Sequence, residues 1–115
     1  MTATLSFVLI CAASGYAQIR TGAYKVVSTD NETVIDAAEY AANTQSEKTG
    51  TTINIETIET AARQTVAGAN YKICLQVAVG EENEKPVIEF IQTIVFYSLQ
   101  QKFSLKSWMK VSACN

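Results

Sequence analysis

The chain has 115 residues, with 11 acidic and 9 basic side chains and a formal net charge of −2. It contains no histidine, which excludes Cys-His and Ser-His-Asp catalysis and most zinc sites. The basic residues form no cluster in the sequence, which argues against nucleic acid as a partner. The carboxylates lie at surface-like positions, and the cluster Glu81, Glu82 and Glu84 indicates a polar loop rather than an acid-base pair. An enzyme is therefore disfavoured, and we expect no cofactor and no metal.

The first 17 residues have the composition of a secretory signal peptide. Residues 2–18 carry no charge, residues 5–13 form an apolar core, and Gly15-Tyr16-Ala17 is a small-X-small cleavage site. The apolar segment is shorter than the roughly 20 residues that a membrane span needs. We therefore expect one secreted, extracellular domain over residues 18–115, with no membrane attachment in its mature form.

The mature chain begins with an extended arm, residues 18–27, that leads into a short first strand. Thr29 and Glu32 then fit a capping box, which predicts the start of a helix. An apolar stripe with a period near 3.6 predicts a helix over residues 30–47, and Gly50 is its predicted stop. The stripe consists of Val34, Ala37, Ala38, Ala41 and Ala42.

From Thr51 onward the apolar period changes to 2, which indicates β-strands. Residues 51–59 and 71–79 are predicted strands, and Gln64-Thr65-Val66-Ala67-Gly68 between them is a predicted hairpin tip. The final glycine can adopt a positive φ without steric cost. Two apolar side chains, Val66 and Ala67, would face water at such a tip. The tip is therefore either an ordinary turn or a binding loop on a rigid scaffold.

Gln-X-Val-X-Gly at a hairpin tip resembles the signature of the cystatins, reversible and tight-binding protein inhibitors of papain-like cysteine proteases. Gln64, Val66 and Gly68 match its three fixed positions, and residues 67–71 look like the family's usual continuation. The resemblance implies that the tip enters the protease cleft and acts by occlusion, without catalysis or a cofactor. The protease-binding residues that it implies at the tip are Gln64, Thr65, Val66, Ala67 and Gly68.

The resemblance also implies a role for the arm. Cystatins place a glycine where the arm meets the cleft, and Gly22 is the natural match in this chain. The residue before that glycine would lie in the S2 pocket, which is often apolar, and here it is Thr21. We therefore expect Thr21→Leu to tighten inhibition of a protease that prefers leucine.

The rest of the chain reads as an antiparallel sheet. Apolar residues alternate from Tyr71 to Val79, residues 80–85 form a loop, and residues 87–99 are apolar on both faces, as in a central strand. A last strand is predicted over residues 103–113. The predicted fold is α+β, one helix across an antiparallel sheet of four to five strands, which is also the cystatin fold. We expect a monomer. Cystatin-fold proteins can also exchange the first strand and helix to form dimers, and the sequence leaves this open.

The second hairpin departs from the family pattern. Cystatins carry a Pro-Trp pair there, and this chain has none. We place the tip at residues 99–103, with Gln100 and Gln101 as the implied contacts. The alternative tip at residues 106–108 would leave too short a last strand. The missing pair keeps open a second interpretation, a cystatin-fold binding or structural module that does not inhibit proteases.

Trp108 is the only tryptophan and falls in the last predicted strand. It alternates with Lys106 and Lys110, which predicts that its side chain lies on the outer face of the sheet, away from the helix.

Two cysteines, Cys74 and Cys114, remain after signal cleavage. Alternation predicts both on the outer face, with the fourth strand between them. Two strand spacings of about 9.6 Å exceed the limit of about 7 Å between the Cα atoms of a disulfide. A bridge therefore requires the C-terminal residues to curl over the sheet. Two free thiols and an intermolecular bridge are the alternatives.

Overall fold

The computed structural model describes residues 22–81 and 83–114. Within them, one helix packs against a five-stranded antiparallel sheet with the strands in sequence order. The elements are β1 (Lys25–Val26), α1 (Glu32–Thr49), β2 (Ile53–Val66), β3 (Gly68–Val79), β4 (Val87–Tyr97) and β5 (Phe103–Val111). The predicted α+β class is confirmed. The predicted signal peptide, residues 1–17, and arm residues 18–21 lie outside the described residues. The one helix described here is not long and apolar enough to cross a membrane.

Helix α1 begins later than predicted. Asn31, in extended backbone geometry, is the N-cap, and its side-chain oxygen accepts hydrogen bonds from two backbone N–H groups at 2.9 and 3.2 Å. The predicted capping box that starts at Thr29 is therefore wrong. A short amide two residues further on satisfies the free N–H groups instead. The predicted stop is confirmed, since Gly50 has a φ of 72° and its N–H donates to Ser46 O at 2.8 Å.

The core lies between α1 and one face of the sheet. All five predicted stripe residues of the helix are buried, and their small side chains allow close approach to the strands. Alternate residues of the central strands face them. The fully buried strand residues are Ile73, Leu75, Val77, Ile91, Thr93 and Val95.

Strand β5 contains a β-bulge that reverses its alternation. The register against β4 shifts so that Lys106 is an extra residue. Trp108 consequently lies opposite the buried Thr93 and packs against the core on the helix side of the sheet. The prediction that Trp108 lies on the outer face is wrong, because one inserted residue moves every later side chain to the other face.

A disulfide joins Cys74 of β3 to Cys114, with 5.7 Å between their Cα atoms. Strand β5 ends at Val111, and the following residues cross the outer face of the sheet to reach Cys74. The structure thus selects the bridge among the three alternatives and confirms that the chain end has to curl. It also buries Cys74, a position predicted to face outward.

Candidate functional site

The β2–β3 hairpin ends in a very tight tip. Pairing continues until Val66 lies opposite Gly68, so only Ala67 is unpaired. The tip is narrower than the five residues predicted, because the strands are longer than their apolar patterns suggested. Val66 is half-buried and Ala67 is exposed. Gly68 has a φ of 111°, which confirms the predicted positive value.

Gly68 is also required by the neighbouring strand. A Cβ at this position would lie 2.5 Å from the carbonyl oxygen of Tyr97 and 3.0 Å from the ring of Phe96. The absence of a side chain therefore lets the hairpin pack against β4 up to its last residue. This role belongs to the fold and does not depend on a binding partner.

Side-chain hydrogen bonds brace the hairpin behind its tip. The side-chain amide of Asn70 donates to the side-chain oxygen Oε1 of Gln64 at 2.9 Å across the two strands. Arg63 donates to the hydroxyls of Thr65 at 3.1 Å and Tyr71 at 3.3 Å. The predicted site residues Gln64 and Thr65 thus take part in side-chain hydrogen bonds just behind the tip.

The N-terminal arm runs beside this tip. A Cβ on Gly22 would lie 3.4 Å from the carbonyl oxygen of Thr65, so the two backbones are adjacent. Strand β1 continues the contact by pairing Lys25 with Arg63. Between Gly22 and Lys25, burial raises the pKa of the Tyr24 hydroxyl above its usual value.

The second hairpin lies on the other side of the tip. Tyr97, the last residue of β4, pairs with Ala69, so the β4–β5 loop over residues 98–102 leaves the sheet at the same end. The Ser98 N–H donates to Lys102 O at 2.9 Å, which closes the loop. Gln100 and Gln101 are exposed, as predicted for the preferred placement of this tip.

Leu99 is a candidate contact residue that the sequence analysis did not select. Its side chain is 73% exposed in the second loop, a high value for a leucine. Leu99 could have been selected from the sequence because it is the apolar residue among polar loop neighbours. Rings behind it anchor the loop, because Phe103 lies 4.7 Å from Tyr97 and 5.5 Å from Tyr40 of α1, measured between centroids.

The fold therefore brings all the predicted site residues to one end of the sheet. Gly22, residues 64–68 and residues 98–102 form three adjacent segments, and Trp108 packs on the core in β5. Within residues 22–81 and 83–114, no group of three His, Cys, Asp or Glu side chains could hold a metal ion. No model of a known protein family matches the chain, and no curated protein matches it.

Proposed function

We propose that the chain adopts the cystatin fold and is a secreted, monomeric inhibitor that occludes papain-like cysteine proteases reversibly. The observation that carries the proposal is the position of the Gln-X-Val-X-Gly segment. It forms a tip with one unpaired residue, Ala67, between the arm at Gly22 and the loop at residues 98–102. Three adjacent segments at a sheet end make a thin wedge, a shape that suits an elongated cleft.

The proposed mechanism needs no bond to form or break. Val66 and Ala67 supply apolar contact in the cleft, and Gly22 lets the arm turn away so that no peptide bond faces the protease nucleophile. The hydrogen bonds of Arg63 and Asn70 already hold the tip in shape. Little conformational entropy is then lost on binding, which favours tight association.

A non-inhibitory cystatin-fold module is the second candidate, and the second loop favours it. Residues 99–101 are Leu-Gln-Gln, where the resemblance leads us to expect Pro-Trp. Aromatic residues often dominate the affinity of an interface, so their absence removes a strong contact. The fold class itself is compatible with either candidate.

Titration of active papain with the secreted chain tests the proposal. We expect reversible, stoichiometric loss of peptide hydrolysis. Val66→Asp should weaken inhibition by about 100-fold, because desolvating an unpaired carboxylate in the cleft costs about 3 kcal/mol. Val87→Asp is the matched control, since Val87 is 58% exposed at the opposite end of the sheet. Gly68 is left unchanged because its substitution would disturb the fold.

Two outcomes contradict the proposal. A folded wild-type chain that leaves papain active at micromolar concentration would favour the non-inhibitory module. Inhibition that is weakened equally by Val66→Asp and Val87→Asp would show that the tip is not the contact.

A further inference from the structure

Charge is strongly segregated along this chain. All 11 acidic residues fall within residues 30–59 and 81–89. Residues 60–80 and 90–115 contain no Asp or Glu, and they carry five basic side chains. These are Arg63, Lys72, Lys102, Lys106 and Lys110. Because the carboxylate-free segments supply the hairpin ends, the half of the sheet that holds the candidate site is cationic, although the whole chain is acidic.

Three of these cations form a row across the sheet together with Lys25 of the first strand. We call this row the cationic belt: Lys25, Arg63, Lys72 and Lys106. Lys25 of β1 lies opposite Arg63 of β2, and Lys72 of β3 follows one position along. Lys72 lies opposite Ile94 of β4. On the other side of Ile94, β5 forms its bulge at Lys106. Four of the five strands thus contribute a cation, at about 13 Å behind the tip for Lys72.

The belt surrounds the sheet on both faces. Arg63 donates to the hydroxyl of Tyr71, a core residue on the helix side, and its partner Lys25 shares that face. On the outer face, the Lys72 ammonium lies 4.4 Å from the ring centroid of Tyr24. The Lys106 ammonium similarly lies 5.8 Å from a ring centroid, that of Phe96.

These contacts hold the side chains of Arg63, Lys72 and Lys106 without neutralising their charges. Aromatic rings and hydroxyls attract a cation but carry no net charge. Among residues 22–81 and 83–114, the ion pair found is Lys110 with Glu89 at 3.7 Å, which lies outside the belt. Lys25, Arg63 and Lys106 are exposed, so their field extends into solvent.

We propose that the cationic belt selects proteases whose active-site cleft is bordered by acidic residues on both rims. This inference rests on the proposed function. A wedge in a cleft meets one rim with each face, and the belt carries cations on both faces. A nucleic acid strand would instead follow one groove, and the belt offers no such continuous track. The separation of charge orients the approaching molecule with its cationic end toward the acidic cleft, although its net charge is negative.

Exposed charges of this kind act mainly on the association rate. Their interaction is screened over about 8 Å at physiological ionic strength, so it is strongest when salt is low. Electrostatic steering raises association rates by about tenfold or more. The effect on the lifetime of the complex should be small, since the belt lies behind the contact residues.

Stopped-flow association with two forms of papain tests the proposal. One form is native, and the other has its surface amines succinylated, which replaces cations by carboxylates, with the active-site thiol reversibly protected during the reaction. At low salt the wild-type chain should associate about tenfold faster with the succinylated form, and high salt should remove the difference.

Two double variants test whether the association rate depends on where the cations lie or only on the net charge of the molecule. Lys72→Glu with Lys106→Glu removes the cations of the outer face and should abolish the preference for succinylated papain. Lys48→Glu with Lys85→Glu makes the same change in net charge at the opposite end of the molecule and should leave the preference unchanged.

The proposal is overturned if wild type binds both papains at equal rates in low salt, or if both double variants act alike. Binding of a single-stranded oligonucleotide at physiological salt, lost in the belt variant, would assign the belt to nucleic acid and also overturn it. Normal inhibition in high salt alongside any of these results leaves the proposed function intact. Absence of inhibition of both papains in high salt overturns the proposed function and this proposal together.

Discussion

Gly68 lies so close to Tyr97 that a Cβ at the glycine would be 2.5 Å from the tyrosine carbonyl oxygen. The last residue of β4 thus supports the tip of the neighbouring hairpin. One glycine allows both this close packing and the positive φ of the turn. Gly68, which the resemblance associates with protease contact, is therefore also required by the fold.

Gly68→Ala should therefore destabilise the fold. We expect the free energy of unfolding to fall by about 2–3 kcal/mol, because the new Cβ meets backbone and φ stays positive. Gly50→Ala is the matched control, since its φ is 72° but nothing lies within 4 Å of an added Cβ. Urea unfolding measures both. Equal losses for the two variants would contradict the role of the Tyr97 contact.

Leu99→Ala should weaken inhibition of papain by about tenfold, equivalent to about 1.4 kcal/mol, without changing stability. Leu99 is exposed in the second loop. Under the proposed function, it would supply the apolar contact that the Pro-Trp pair makes in cystatins. Val87→Ala removes an exposed apolar side chain from the opposite end and serves as the control. Unchanged inhibition constants for Leu99→Ala would exclude the second loop as an apolar contact.

Replacement of the disulfide by Cys74→Ala with Cys114→Ser should lower the free energy of unfolding by about 2–4 kcal/mol, because the unfolded chain loses a cross-link between residues 40 positions apart. Inhibition should persist, since Cys74 lies six residues from Gly68. Thermal unfolding with and without reductant measures the effect on the wild type. A midpoint that does not respond to reductant would contradict a stabilising bridge.

Trp108→Ala should lower the free energy of unfolding by about 2–3 kcal/mol, since a partly buried ring that packs on the core is lost. Met109→Ala, at an adjacent residue that is 52% exposed, should change it much less. The folded Trp108→Ala protein should inhibit papain like the wild type. Weaker inhibition at full stability would instead make Trp108 a contact residue.

Local sequence patterns were sufficient to predict much of the fold of this protein. The stripe of α1 repeats every 3.6 residues and the strands every 2, so the α+β class and the buried helix face follow from periodicity. The last hairpin was placed by comparing the strand lengths that each tip would leave. Residues 64–68 combine turn chemistry with a short motif, and both are properties of adjacent residues. The sequence therefore locates the tip, although the strands run closer to it than predicted.

Other features depend on residues that meet only in the folded chain. No glycine or proline near Lys106 signals the bulge in the sequence. The bulge is nevertheless the reason that Trp108 faces the core. The choice of Asn31 over Thr29 as N-cap depends on how the chain enters α1.

The disulfide and the cationic belt depend on contacts between distant parts of the chain. The bridge from Cys74 to Cys114 required the chain end to leave β5 and cross the sheet. The four cations of the belt, single and scattered in sequence, become neighbours because antiparallel pairing aligns one from each of four strands. The periodic elements and the motif at the tip follow from residues that are close in sequence. Which distant side chains share a face depends on strand register, because register sets the spatial distance between residues that are far apart in sequence.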